Sequence, residues 1–392
     1  MRYDILIIGG GPIGLGFARM MAPTGCKIGI VEKQPAEKLA AAPDDGREVA
    51  ITHRAHGLLA RYGILPHIPE KEIHLLRAAE VINQGSPSSL HFNPEDSDKE
   101  NIGFVISNYL IRRAAYKAVQ DCDNIELVEG TVSALDLGRD AATVTLDGGK
   151  KLSARLVVAA DSRFSTLRDM AGIKTDKLDF KRLCIVCRIT HEKSHRHIAS
   201  ECFLNGLTLA SIPLADHTSS LVLTMTQDKG ERVLALDDAA LAEKVNGWTD
   251  LRLGRVKVVG KRHAYPLVGV YARRFSAARF ALLGDAAVGM HPVSAHGFNF
   301  GIYGAQTLAE IVTGALLNGL DIGSPLLLQD YTARHRMTTR PFYEATNAIV
   351  RLYTNDRPLA KLARKGVLTA GRILTPARKV LVKTLTREDK AS

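Results

Sequence analysis

The sequence predicts an α/β fold carrying an α+β insert: a parallel-sheet domain interleaved with a mainly antiparallel one, and a helical C-terminal segment. Three observations predict it. The chain opens with an apolar run, a glycine turn and a helix-forming stretch in β-α-β order. From about residue 180 to 266 the texture changes to short strand-like segments with turn signals between them. Residues 280–283 then return to the buried-strand pattern, so the middle region reads as an insertion.

Residues 4–8 form a continuous apolar run, as a parallel strand buried on both faces requires. Gly9 to Gly11 make the turn, residues 12–21 a helix, and residues 27–31 the next strand, which closes with Glu32. Each part of this Rossmann-like unit has a task. Gly9 permits the tight turn, Gly11 lets the backbone approach a pyrophosphate, and Gly14 with Ala18 allows close helix–strand packing. The helix N-terminus attracts anionic phosphates. Glu32 can accept hydrogen bonds from a ribose 2′-hydroxyl, which disfavours a 2′-phosphate there. Strand, glycines, helix and acid in that order are a strong dinucleotide signal, but they do not choose between NAD and FAD.

Residues 36–47 read as a polar loop, 54–62 as a helix, 86–101 as an exposed excursion rich in Ser, Pro and charge, and 108–119 as a helix. Residues 125–128, 143–146 and 156–159 read as strands. In the insert, residues 184–190, 200–203, 207–212 and 220–226 are the strand candidates, and a helix is expected from about 299 to 317. The expected division is 1–75, 101–178 and 268–340 for the first domain, 76–100 and 179–267 for the second, and 341–392 for the C-terminal segment.

With 46% hydrophobic and 24% charged residues, the 392-residue chain has the composition of a globular protein with room for two domains. No apolar run approaches the roughly 18–20 residues of a membrane span. The N-terminus enters a strand within four residues, with Asp4 beside it, so no secretory signal is expected and the cytoplasm is the default location. Five scattered cysteines do not read as a disulfide framework. Cys184 and Cys187 have C-x-x-C spacing, but strand periodicity sends the two thiols to opposite faces, so both read as structural. No acidic cluster points to a metal, no metal site is expected, and no G-x-S-x-G or Walker pattern is present. The net charge of +11 is a property of the tail: from Arg351 onward 11 Lys+Arg stand against 3 Asp+Glu, which leaves +3 for the rest. That favours a local acidic surface over nucleic-acid binding.

Further segments make the cofactor choice. Asp45-Gly46-Arg47, then residues 156–165 ending Asp161-Ser-Arg-Phe-Ser165, then Gly284-Asp285-Ala286-Ala287, and finally His291-Pro292 with Gly297-Phe298-Asn299 follow one another along nearly the whole chain. In this arrangement the chain resembles the FAD-dependent aromatic hydroxylases of the p-hydroxybenzoate hydroxylase fold. Within them it is similar to the ubiquinone-biosynthesis hydroxylases of the UbiH/UbiF/UbiM type. The resemblance implies that Arg47 contacts the FAD diphosphate, that Asn108 contacts FAD at a helix start, that Asp161 sits in the second FAD motif, and that Asp285 bonds the ribityl chain. The helix starting at Gly297 would aim its N–H groups at the flavin N1/O2 edge, stabilising reduced flavin. Pro12, Lys33, Val132 and Pro292 complete the expected FAD contacts.

The chain departs from the family in two places. Ser162 stands where the family has Gly, so the backbone there must tolerate a Cβ. Ala295-His296 replaces a Gly-Gln pair, a feature associated with the UbiM-type branch. His296 is the candidate catalytic residue, near flavin and substrate; the equal alternative makes it a positional substitute bonding only backbone. Tyr265-Pro266-Leu267 matches a family segment where the second sheet returns, with a strand-end turn as the plainer reading of Tyr265. Residues 351–383 alternate apolar and basic positions at helical spacing. That pattern fits docking on the inner-membrane surface or an acidic partner, and equally a packed helix with a solvated basic face.

The resemblance implies the following activity. A nicotinamide donor, NAD(P)H, or another reductant reduces FAD, O2 forms a flavin C4a-hydroperoxide, and an oxygen passes to the ring of a hydrophobic polyprenyl-phenol, for example demethoxyubiquinol. Other ubiquinone-biosynthesis proteins are the expected partners. Two rivals remain: a flavin-dependent prenyl reductase, and a flavin-binding accessory subunit with little turnover. A halogenase is disfavoured because Trp248 is the only tryptophan.

Overall fold

The computed structural model describes residues 2–83, 89–96, 99–204, 206–292 and 295–354. In chain order the elements are β1 (Arg2–Ile8), α1 (Pro12–Met21), β2 (Ile28–Glu32), α2 (Ala36–Ala41), β3 (Glu48–Ile51), α3 (His53–Arg61), β4 (His74–Leu76), β5 (Ala78–Asn83), β6 (Ser89–Phe92), β7 (Gly103–Ser107), α4 (Asn108–Gln120), β8 (Ile125–Glu129), β9 (Val132–Leu137), β10 (Ala142–Leu146), β11 (Lys151–Ala159) and α5 (Thr166–Met170). The middle of the chain adds β12 (Thr175–His191), β13 (Ile198–Leu204), β14 (Leu207–Pro213), β15 (Thr218–Thr226), α6 (Gln227–Leu234), α7 (Asp238–Thr249) and β16 (Val256–Ala272). The chain then forms β17 (Ser276–Ala277), β18 (Phe280–Leu282), β19 (Val288–Gly289), α8 (Gly297–Leu317) and α9 (Pro325–Thr354).

The first sheet runs β17-β18-β11-β1-β2-β8, with β18, β11, β1, β2 and β8 mutually parallel. Its central strand β1 is buried from Ile5 to Ile8, as strands covered on both faces must be. The β9–β10 hairpin pairs with the first half of β11, so β11 serves two layers. The second sheet has eight strands in the order β19-β16-β12-β15-β14-β13-β5-β6, antiparallel except where β5 meets β13. A small third sheet, β3-β7-β4, lies between them. The expected boundaries at 178/179 and 267/268 fall inside the continuous strands β12 and β16.

Alternation along β12 settles the cysteines. Cys184 joins the cluster of Val186 and Leu267, whereas Cys187 joins the cluster that α7 covers from the other side. All five cysteines are free.

Four expectations need correction. Residues 36–47 are not simply a loop, because the Ala, Glu, Lys and Leu of 36–41 close a helical turn with Leu39 buried. The 86–101 excursion contains β6, which pairs with β5 and closes the edge of the second sheet. Tyr265 is no strand-end turn: it lies inside the 17-residue β16, and Pro266, which lacks an N–H, sits where the β12–β16 register shifts. Helix α8 is also as long and apolar as a membrane-crossing helix, contrary to the composition reading. Its most apolar window is 61% buried inside the protein, where Gly301 meets Ile13 and Gly304 meets His335. The basic stretch 351–383 falls outside the described residues from 355 onward.

Candidate functional site

The first half of the site is the start of α1. Gly9 has φ +116°, and a Cβ there would lie 2.4 Å from the Ala160 carbonyl oxygen. A Cβ on Gly14 would lie 2.1 Å from the Gly9 oxygen. Gly11 faces open space and has no side chain to cap the helix, Pro12 fills the first position, and no acid sits in the first turn. The exposed N–H groups are therefore free for an anion. Glu32 is oriented by the Gly10 N–H at 2.7 Å and the Gln34 N–H at 3.0 Å. Lys33 is exposed beside it. Val132 is a core residue, 9% exposed, so its side chain is committed to packing.

Just past β11 stands an acid with an unmatched acceptor. One oxygen of Asp161, Oδ1, is buried without a hydrogen-bond partner, and burial raises the carboxyl despite a bond from Ser165. Ser162 has no positive φ, so its Cβ is tolerated, and its hydroxyl accepts the Phe164 N–H at 3.1 Å. Arg163 donates twice to Asp285 Oδ2, at 2.7 and 3.1 Å, and to the Val268 carbonyl. Arg168 is fully buried and bonds the carbonyls of Arg163 and Ala286, stitching the second and third motifs together. Nothing in the sequence singles out Arg163 or Arg168, because no spacing rule marks an arginine whose partners lie far along the chain. Gly284, at φ +56°, packs on Ile13 at the start of α1.

Asp45 is the hub of the loop before β3. It accepts from Arg47 at 2.6 Å and from the Asn108 amide at 2.7 Å, while its main-chain oxygen accepts the Tyr265 hydroxyl at 2.6 Å. Burial alone would raise this carboxyl; Arg47 and Asn108 outweigh it and hold it below the usual carboxylate range. Tyr265 thus ties the second sheet to the loop. Glu48, with a fully buried side chain, accepts Arg188 of β12 at 2.9 Å and makes a second tie.

The far half is the start of α8. Ala295 has φ +52°, the left-handed region the family's glycine would occupy without cost. Gly297 faces open space, and the helix has no side-chain cap and no acid in its first turn. Phe298 is partly buried against the main core. Asn299 is 1% exposed and fully engaged: its oxygen accepts the Thr52 N–H at 3.1 Å, and its amide donates to Ala50 and Ala295 at 2.8 and 3.1 Å. Its side chain is a clamp between α8 and β3. His296 lies against Phe300 and Phe342, each ring 5.4 Å away. His291 is buried against Phe180, and burial with Arg182 and Arg163 nearby pushes its imidazole down to about 4. Pro292 is exposed next to it. His53 and His56, one helical turn apart, hold the Asn101 carbonyl and the Phe104 ring instead of a metal. Among the described residues no group of His, Cys, Asp or Glu could hold a metal ion.

Two uncapped helix starts, an open glycine at each, and the carboxylates of Glu32 and Asp285 between them suit an elongated dinucleotide with a second ring system. Asp285 offers Oδ1, since both Arg163 bonds fall on Oδ2. The family model described as an FAD binding domain matches residues 2–343. Ubiquinone hydroxylase UbiM of Neisseria meningitidis is 43% identical over 98% of this chain and 85% of its own length. The chain belongs to the FAD-dependent ubiquinone-biosynthesis hydroxylases. Ubiquinone hydroxylase UbiL of Rhodospirillum rubrum is 34% identical, covering 97% of this hydroxylase and 88% of the relative. The crystal structure of p-nitrophenol 4-monooxygenase from Pseudomonas putida shares the fold over 100% of both chains, with a TM-score of 0.76 at 16% identity. The hydroxylase therefore binds FAD.

Proposed function

We propose that this hydroxylase adds oxygen to the ring of a prenylated phenol or quinol, for example demethoxyubiquinol, using NAD(P)H and O2. The observation that carries the reading is the start of α8: an uncapped helix end, free of acids, opening at Gly297 and joined through β19 to the second sheet. Bound FAD supplies the redox and oxygen-transfer chemistry. The chain's own residues do the rest. Gly9, Gly11, Pro12 and Gly14 receive the diphosphate on the start of α1, and Glu32 takes the ribose. Arg47 would hold the diphosphate, and Asp285, whose Oδ1 is left by Arg163, would hold the ribityl hydroxyls. The N–H groups of Gly297, Phe298 and Asn299 would offer partial positive charge to the bound flavin. The front of the second sheet, tied down by Tyr265 and Arg188, positions the ring and excludes water. His296, packed between two aromatic rings, sets the pitch of the α8 start. The basic stretch 351–383 would dock the enzyme on an anionic inner-membrane surface or an acidic partner, where a polyprenyl substrate resides.

The test is direct. FAD-loaded protein with NAD(P)H, O2 and demethoxyubiquinol should yield a product one oxygen atom heavier by mass spectrometry. Flavin turnover that produces only hydrogen peroxide, or a purified protein that takes up no FAD, overturns the reading.

A further inference from the structure

Strand registers place five residues side by side across the second sheet: His263 of β16, Val186 of β12, Val222 of β15, Ala210 of β14 and Glu201 of β13. Directly opposed residues project to the same side of a sheet. The side is the one turned to the flavin loops. A Cβ on Gly46 would lie 2.5 Å from the His263 ring, and Val186 and Val222 cluster with Tyr265, whose hydroxyl bonds Asp45. Farther along the same face, Ala199 and Ile212 pack with Ala50 and Val105 of the third sheet. Glu201 stands between these two apolar clusters.

Its surroundings give it nothing to bond. Its lateral neighbours are Ala210 and Val81, and it makes no hydrogen bond or ion pair with a described residue. It is half-buried, so part of it stays accessible on this face. The strip from Glu201 to Val186 consists of small apolar side chains, over which a planar ring can lie. At a strand spacing of about 4.8 Å the strip is about 14 Å long. An isolated buried carboxyl is costly unless a ligand satisfies it.

We propose that Glu201 is a catalytic residue that takes the hydroxyl proton of the phenolic substrate, an inference that rests on the function proposed above. The phenol O–H bond breaks, the proton passes to a Glu201 carboxylate oxygen, and the bonding pair stays on the substrate oxygen. That pair enriches the ortho and para ring carbons, the positions an electrophilic oxygen attacks. The step consumes no oxidant. Burial lifts the Glu201 carboxyl to about 8, which suits a base near neutral pH. The groups around it do not compete. The Cys184 and Cys202 thiols are pushed up by burial to about 12 and about 11, and stay neutral. Glu80 pairs with Arg252 and, being opposite Ser200, projects to the other face. Glu48, from the facing sheet, is paired with Arg188.

The test has two arms on FAD-loaded enzyme. In the first, binding of a short-chain prenylphenol and of its O-methyl ether is compared by calorimetry. The wild type should prefer the phenol about tenfold, and Glu201→Leu should bind both within about twofold. An equal preference in both proteins overturns the proposal whether or not the enzyme turns over, and so does failure of the wild type to bind the phenol. In the second, hydroxylated product is measured across pH. Wild-type turnover should rise as pH passes about 8 and the carboxylate forms. Glu201→Gln should be at least about tenfold slower and lack that limb, with flavin content unchanged, and Glu201→Asp should restore part of it. A Gln variant with the wild-type rate and limb overturns the proposal. A wild type that discriminates phenol from ether but yields no hydroxylated prenyl product supports Glu201 as the phenol-binding base and overturns the proposed substrate instead.

Discussion

Helix α1 starts on backbone packed against backbone, whereas helix α8 starts on a side-chain clamp. At α1, Gly9 and Gly14 bring main-chain atoms so close that a Cβ would fall 2.4 and 2.1 Å from carbonyl oxygens. At α8, Gly297 has free space around it, and the fit is made by Asn299 reaching Thr52, Ala50 and Ala295. The first design has no slack. The second can be tuned one bond at a time, which suits the end of the flavin where the chemistry occurs.

The largest expected effect breaks the rigid end. Gly9→Ala adds a Cβ at φ +116° against the Ala160 oxygen. It should cost about 3 kcal/mol, from strain and overpacking together, and abolish FAD retention. Thermal unfolding and flavin absorbance of the purified variant check it, and a fully flavinylated Gly9→Ala protein would show that the close contact is not required. Asn299→Ala comes next. It leaves the Thr52 N–H and the Ala50 carbonyl without partners inside the protein, at a cost of about 2 kcal/mol. FAD should still bind but dissociate faster, because the α1 end is intact, and fluorescence-detected flavin release measures this.

Acid should loosen the α8 side selectively. His335 of α9 lies under Gly304 of α8 and stacks on Tyr331, and burial pushes its imidazole down to about 4. The unfolded chain binds that proton near 6.5, so stability is complete above about pH 6.5 and is lost as pH falls toward about 4. At pH 5 the loss should be about 2 kcal/mol, and His335→Leu should remove this part of it. Denaturant titrations of both proteins at pH 7 and pH 5 decide the matter.

The α1 end was legible in the sequence because its constraint is the absence of side chains, and glycines at fixed spacing are visible as letters. The front of the second sheet was legible only as strands. Glu201 matters through its registers to Ala210 and Val81, pairings between distant segments that no local pattern reports. Arg163 and the buried Arg168 are invisible in the sequence for a related reason. Arg168 earns its place by bonding the Ala286 carbonyl, 118 positions away in the chain. Family position marks Asn299 as a flavin contact, but it does not tell that both of its side-chain polar atoms are already committed.

The smallest effect tests the one place where the α8 start works against its own sequence. Ala295 sits at φ +52°, which costs a non-glycine residue roughly 1 kcal/mol. Glycine would relieve that strain but lose more backbone freedom on folding, returning part of the gain. Ala295→Gly should therefore stabilise the protein by about 0.5 kcal/mol. If the strain only reflects tolerance, flavin affinity should stay the same. If Ala295 holds His296 in its slot between Phe300 and Phe342, the glycine variant should gain stability while losing flavin affinity, since a freer residue 295 lets the helix start drift. Melting temperature and FAD dissociation constant, measured on the same preparation, separate these outcomes. The second result would mean that strain at this end serves positioning, a task that backbone contact performs at the other.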